Sequence, residues 1–264
     1  MAKNFKSANA LELKNALELK NACVAKGKKT IWSNSTLTIK PNEITAIIGM
    51  NGSGKTTLLE VMLDIIPLNS GEIYILDQKP KKMRSQIGYV PQKYQLSASN
   101  VIRGYDALAL GLVGNKLGIS LSNKYIRNQI YQLADHLQIN HLLNRRLSEM
   151  SGGQLQKIAV SQALINNPKI LILDEPLANL DIQSTNEILT LIQHLKNHHI
   201  SIFIVTHDLN PVIDLIDGAI YLLDGHAHYL PVKNLKNEKL LSYLYSTKIE
   251  VVHTKDGAFI RNKK

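Results

Sequence analysis

The eight residues GMNGSGKT at 49–56 set Gly49, Gly54, Lys55 and Thr56 at the spacing of a phosphate-binding loop. Backbone N–H groups of Asn51, Gly52, Ser53, Gly54, Lys55 and Thr56, with Thr57 following, are expected to wrap a β-phosphate. A helix N-terminus supplies the means, because its first donors are unpaired and carry partial positive charge. Lys55 is expected to bridge the β- and γ-phosphates, and the Thr56 hydroxyl to ligate Mg2+. Alone, such a loop says only that a nucleoside triphosphate binds.

Downstream, ILILDEP at 170–176 ends an apolar run in two carboxylates, Asp174 and Glu175. That pattern puts them at the C-terminal edge of a buried strand, where open α/β sheets bind ligands. Asp174 is suited to hold Mg2+ through water, and Glu175 to polarise the attacking water as a general base. Gln92, just after IGYVP, could reach the same metal and water. His207 follows the apolar run IFIV, at another strand end, where a neutral imidazole can hydrogen-bond the γ-phosphate and the water. Of the other histidines, His198, His199, His226 and His228 have no companion cysteine or acidic cluster that would complete a metal site.

Ser151, Gly152, Gly153 and Gln154 precede LQKIAVSQALI, a predicted helix, and form a second helix-start anion site. Two such sites in one chain are redundant unless they serve different nucleotides. A two-fold dimer, in which each copy's SGGQ closes over the other's phosphate loop, is the simplest resolution.

These residues need a scaffold of alternating strands and helices. ITAIIG (44–49), the loop and TTLLEVMLDII (56–66) predict a strand, turn and helix in the order a phosphate loop requires. TLTI (36–39), EIYILD (72–77) and IGYV (87–90) read as further strands. ILIL (170–173), IFIV (202–205) and AIYLL (219–223) have the continuous apolar character of a parallel sheet covered on both faces. Between Lys93 and about Ala163 the period becomes helical, as in Ile126, Ile130, Leu133, Ala134 and Leu137, which predicts an inserted helical lobe. Near the start, NALELK occurs at 9–14 and again at 15–20. Its period of two suits a half-buried strand; the second copy, continuous with ACVAKG, is the better candidate.

The formal net charge is +10. Residues 1–40 contribute +6 and 231–264 contribute +5, leaving −1 for 41–230. A basic groove across the fold, and with it nucleic-acid binding, is not indicated. The apolar stretches are far shorter than the roughly 18 residues of a membrane span. The first residues lack the apolar segment of a secretory signal, so the cytoplasm is the expected compartment. Cys23 is the only cysteine, which excludes an internal disulfide.

The order GMNGSGKT, YVPQ, MSGGQ, ILILDEP, ANLD, VTHD resembles the ATP-binding subunit of ABC transporters over about 17–230. The resemblance implies an α/β fold: a RecA-like P-loop NTPase core, an antiparallel β region and an inserted helical subdomain at about 93–163. Residues 1–16 would be an N-terminal extension and 231–264 a basic C-terminal tail. It also implies ATP and Mg2+ as ligands, a nucleotide contact for Asp181, and a coupling role for Gln92 between lobe and metal site. Departures from the pattern are Met50, Met150, a glutamine at 162 where many relatives have arginine, and Lys26 where relatives place an aromatic ring on adenine. Stacking is then lost unless Trp32 or a partner subunit compensates.

With no span of its own, such a subunit works beneath separate integral membrane permeases, on the cytoplasmic face of the inner or plasma membrane. A second copy of itself and, indirectly, a solute-binding protein complete the expected assembly. The segment 101–118 and EPLANLD look most similar to the ATPases of zinc and manganese importers. An ABC transporter for another substrate, or a non-transport ABC ATPase, is the alternative. Chromosome-acting relatives carry long coiled coils, and translation-factor relatives carry two cassettes; neither feature occurs here. Glu175 and His207 are both present, against a subunit that binds ATP without hydrolysing it.

Overall fold

The computed structural model describes residues 13–94, 101–114, 123–235, 238, 241–242, 249–254 and 257–262. Its first element, β1 (Leu17–Lys26), is the second NALELK copy: Leu17 and Leu19 are buried while Lys20 faces out. Most of the first copy lies outside the described residues. Strand β1 pairs antiparallel with β2 (Lys29–Ile39), Leu17 opposite Ile39 and Leu19 opposite Leu37. Then come β3 (Ile44–Gly49), α1 (Lys55–Met62), β4 (Ser70–Ile75), the short α2 (Pro80–Met83) and β5 (Ile87–Val90). Helix α1 stops a turn earlier than the apolar pattern predicts. Asp64 turns left-handed at φ 56°, and Pro67 cannot continue a helical ladder.

The lobe supplies α3 (Gly104–Val113) and α4 (Asn123–His136), followed by α5 (Gly152–Leu164). The core resumes with β6 (Ile170–Asp174), α6 (Ile182–Lys196), β7 (Ser201–Val205), β8 (Gly218–Leu223) and β9 (His226–Pro231). Past Pro231 the sequence suggested only a basic tail. The chain there forms α7 (Val232–Leu235) and an antiparallel hairpin of β10 (Ile249–Thr254) and β11 (Gly257–Asn262).

Two sheets organise the core, a three-stranded one in the order β2-β1-β4 and a six-stranded one in the order β5-β6-β7-β3-β8-β9. All neighbours in the larger sheet are parallel except β8 and β9. It is buried on both faces, which explains why its strands read as unbroken apolar runs. In β7, Ile202 and Ile204 join one cluster with Ile188, Ile192 and Leu195 of α6. Phe203 and Val205 join the other, with Leu58, Leu59 and Met62 of α1 and with Leu17, Leu19 and Trp32 of the smaller sheet. A third cluster lies in the lobe, where Ala107 and Leu108 of α3 meet Ile130 and Ala134 of α4 and Ile158 of α5.

Register brings the predicted chemistry to one edge. Val90 is level with Leu173, Asp174 with Val205, and Val205 with Ile47 two residues before the phosphate loop. The C-terminal ends of β5, β6, β7 and β3 therefore emerge side by side. The Lys196 ammonium lies 2.8 Å from each Asp217 carboxylate oxygen, one of which also accepts from Ile44 N–H at 2.8 Å. This contact ties the end of α6 to the start of the loop-bearing strand.

Candidate active site

Gly54 caps α1 in the left-handed conformation, φ 102°, which glycine adopts without steric cost. A Cβ there would come within 2.5 Å of Ile31 Cγ2 and 2.9 Å of Trp32 Cδ1, so the loop rests directly on β2. Trp32 is fully buried beneath it. It offers no face to a base, so of the two compensations considered for the missing adenine platform, Trp32 does not supply one. Lys26, at the position of that platform, is paired with Glu60 at 2.6 Å.

The Lys55 ammonium donates to the carbonyls of Gly49 (2.7 Å) and Met50 (3.1 Å), folding back over its own loop. Burial lowers its pKa, while the Glu175 and Asp174 carboxylates pull it back up. Thr56 is exposed at the first turn of α1 and Thr57 is buried. Ser53 Oγ is buried and has no hydrogen-bond partner among the described residues, an unsatisfied hydroxyl inside the phosphate loop.

Asp174 closes β6, and its pKa is raised, first by burial and then by the neighbouring Glu175 charge. The Tyr89 hydroxyl, 3.4 Å from Asp174 Oδ2, and Lys55 oppose the shift. Burial, with Asp174 beside it, pushes Tyr89 up to about 12. Glu175 has φ 52°, a left-handed backbone that costs a non-glycine residue about 1 kcal/mol or more. Its N–H donates to Val205 O at 3.0 Å, and its Oε2 lies 2.6 Å from His207 Nδ1. Glu175 is mostly buried, whereas the His207 ring is 66 % exposed, so the imidazole forms the open wall of the pair. Gln92 is exposed two residues past β5, at the same sheet edge.

The site therefore gathers a flexible cation, two crowded carboxylates, a hydroxyl and a helix N-terminus. Thr56 and Asp174 offer hard oxygens beside excess negative charge, a donor set that fits Mg2+. For Asp174 the folded chain holds its proton more tightly than the unfolded chain does. That group's contribution to stability is complete below its unfolded pKa and is lost as pH rises through the folded one. At neutral pH the ionised Asp174 is thus a destabilising residue kept at a binding edge. Asp174→Asn is expected to raise the Tm of the nucleotide-free chain by about 2 °C or more at pH 7, measured by calorimetry, while ATP hydrolysis falls. A lower Tm would contradict the crowding.

The second anion element begins α5. Ser151 is its N-cap: its hydroxyl accepts from Gln154 N–H at 3.4 Å, and Gln154 Oε1 accepts from Ser151 N–H at 3.2 Å. Arg145 also donates to Gln154 Oε1 at 3.0 Å. Asp181 is the N-cap of α6, accepting from the N–H and hydroxyl of Ser184 at 2.8 and 2.9 Å, which holds its pKa down. A Cβ on Gly153 would meet Ser184 Oγ at 2.4 Å, so the starts of α5 and α6 lie against each other. Among the described residues, the side chains of Ser151 and Asp181 hydrogen-bond within their own helix starts and not to the chain's own phosphate loop.

Two residues the sequence did not single out also shape the site. Tyr89 sits in the strand next to the one bearing Asp174, a neighbour visible only once β5 and β6 are paired. Tyr94 donates to Gln162 Oε1 at 2.9 Å, and Gln162 Nε2 donates to Ala107 O at 2.8 Å. The glutamine at 162 thus connects the segment after Gln92 to the lobe helix α3 through neutral bonds.

This combination of two-sided parallel sheet, phosphate loop and acidic strand end defines a P-loop ATPase. The ABC transporter family model matches residues 32–178, and the chain belongs to that family as an ATP-binding subunit whose ATP hydrolysis is coupled to transport. It is 38 % identical over 201 residues to the zinc import ATP-binding protein ZnuC of Rickettsia conorii, covering 76 % of this chain and 79 % of that one. It is 30 % identical over 222 residues to the manganese transport system ATP-binding protein MntB of Listeria monocytogenes, covering 84 % and 92 %. A solved ATP-binding cassette, dimeric in a post-hydrolysis state with ADP and Pi, superposes with a TM-score of 0.67 at 27 % identity, covering 82 % of this chain and 98 % of that one. No helix among the described residues is long and apolar enough to cross a membrane.

Proposed function

We propose that this subunit powers the import of a divalent metal ion, zinc or manganese, through separate permease subunits. The observation that carries the ATPase part is the meeting of Lys55, Asp174, Glu175 and His207 at one sheet edge, with Glu175 and His207 2.6 Å apart. The metal-ion part is supported by likeness to two relatives of that named function.

Residues 17–230 form the nucleotide-binding domain, with the lobe at about 93–163. The N–H groups of Asn51 to Thr56, followed by Thr57, cradle the phosphates. Lys55 swings from the Gly49 and Met50 carbonyls onto the β- and γ-phosphates. Glu175 takes the proton of the attacking water, and His207 holds the γ-phosphate and orients that water. Thr56, Asp174 and Gln92 would hold Mg2+, which would supply neutralisation of phosphate charge. Ser151, Gly152, Gly153, Gln154 and Asp181 act across a two-fold dimer on the nucleotide of the second copy. Met50 (53 % exposed) and Ile182 (83 %) are large apolar side chains left open beside these two motifs, as a dimer face would leave them.

Hydrolysis removes the phosphate bridge between copies. The lobe then moves with Gln92 and shifts the permease between its two openings. The lobe exposes Val101, Leu110, Tyr125 and Tyr131, an apolar surface suited to docking the permease at the cytoplasmic face of the inner or plasma membrane. The end of the importer-like segment, 115–118, lies outside the described residues.

Vesicles carrying the reconstituted subunit and permease are expected to accumulate radiolabelled zinc or manganese only with ATP. ATP hydrolysis without uptake of either ion would overturn the metal reading and leave the transporter ATPase reading in place.

A further inference from the structure

His136, His194 and His198 bring one ligand nitrogen each to within 4.8 Å of one another. His194 Nε2 lies 3.2 Å from His136 Nε2 and 3.2 Å from His198 Nε2. The three rings are mutually tilted or edge-on, with centroids 4.7–4.9 Å apart, so their nitrogen edges converge. We infer that this cluster is a binding site for a divalent transition metal of the zinc class, shared between the helical lobe and the core.

The distances favour ligation. Zinc–imidazole bonds of about 2.05 Å arranged tetrahedrally place neighbouring nitrogens about 3.3 Å apart, close to the two 3.2 Å separations. Without a metal, each Nε2 of a neutral imidazole is either a donor or an acceptor. The central His194 nitrogen, facing two others, can be satisfied only by a fixed choice of tautomers. A cation accepts all three lone pairs at once and removes that constraint. Imidazole is a ligand for zinc, cobalt, nickel and copper, whereas Mg2+ prefers hard oxygens, so the site is distinct in chemistry from the nucleotide's metal. Three protein ligands leave a fourth position to water.

Helix geometry adds to this. His136 is the last residue of α4, His194 lies in the last turn of α6, and His198 follows two residues after its end. Two helix C-termini therefore direct partial negative charge toward the cluster, where a cation is favoured. The packing that brings the rings together is apolar: Leu133 of α4 and Leu137, just past its end, rest on the cluster that contains Ile188, Ile192 and Leu195 of α6. His194 and His198 are four residues apart across the end of α6, and His136 arrives from 58 residues earlier in the chain. The inference holds whatever substrate the permease carries.

The test uses the full chain without a polyhistidine tag, stripped of metal and free of nucleotide. Zn2+ titrated against a competing chelator is expected to fill one site sensitive to all three residues. His136→Ala and His194→Ala are each expected to weaken it at least about 10-fold. His199→Ala, next to the cluster but outside it, is expected to leave it unchanged. Co2+ is expected to give the intense visible bands of tetrahedral coordination in the wild type and in His199→Ala, and to lose them in the other two. Zn2+ is also expected to raise the Tm of the wild type and of His199→Ala only. Undiminished binding by the His136→Ala, His194→Ala double variant, or no Zn2+ binding by the wild type, would overturn the site.

Discussion

Glu175→Gln is expected to reduce ATP turnover by the subunit and permease about 10²- to 10⁴-fold, the usual contribution of a positioned general base. The substitution keeps the size of the side chain and its reach to His207, which is 2.6 Å away. It removes the lone pair basicity that can take a proton from water. The left-handed backbone at φ 52° is no worse for glutamine than for glutamate, so the site geometry persists. Folding is not threatened either. The Glu175 charge raises the pKa of Asp174, and its loss relieves that repulsion. A dead but well-folded subunit should bind ATP and fail to release it, and gel filtration with ATP is then expected to show a stable dimer. Turnover equal to wild type would remove Glu175 from the role of base. Loss of turnover without dimer trapping would keep the base and reject the clamp.

How much of this was legible in advance depended on the range of the interactions. The phosphate loop, Asp174, Glu175 and His207 were readable because each sits at the end of a continuous apolar strand, and parallel pairing brings such ends to one edge without further information. Leu17 and Leu19 were readable as a core face because alternation is a local property. Trp32 was not. Its pattern does not say that Gly54 would pack directly on its ring and leave no access for a base. The hairpin β10–β11 was also missed, although Asp256-Gly257 is a turn signal, because net charge dominated the reading of that segment. Likewise, the glutamine at 162 could be compared with an arginine but not with Tyr94 and the Ala107 carbonyl, which only the folded lobe supplies. The histidine triad is the extreme case, since no spacing along the chain relates His136 to His194.

Mixing two inactive variants is expected to restore activity, the second large effect. Lys55→Ala removes the cation that serves the chain's own phosphate loop. Gly152→Asp acts on the other half of the pocket. Among the described residues, a Cβ at Gly152 meets only Leu180 Cδ2, at 3.3 Å, so the side chain can be accommodated with a small shift. A carboxylate in the first turn of α5 is also favourable to the isolated chain, by about 0.3–1 kcal/mol, because it opposes the helix dipole. In the proposed two-fold clamp the same charge would face the triphosphate of a partner and repel it. Each variant alone should therefore fold and hydrolyse almost no ATP. In a mixed dimer, one pocket combines both lesions. The other combines an intact phosphate loop from the Gly152→Asp copy with an intact SGGQ from the Lys55→Ala copy. Random pairing of equal amounts makes half the dimers mixed, which predicts about a quarter of wild-type turnover if the two pockets work independently. If each pocket were built within one chain, every pocket in the mixture would carry a lesion and no activity would return.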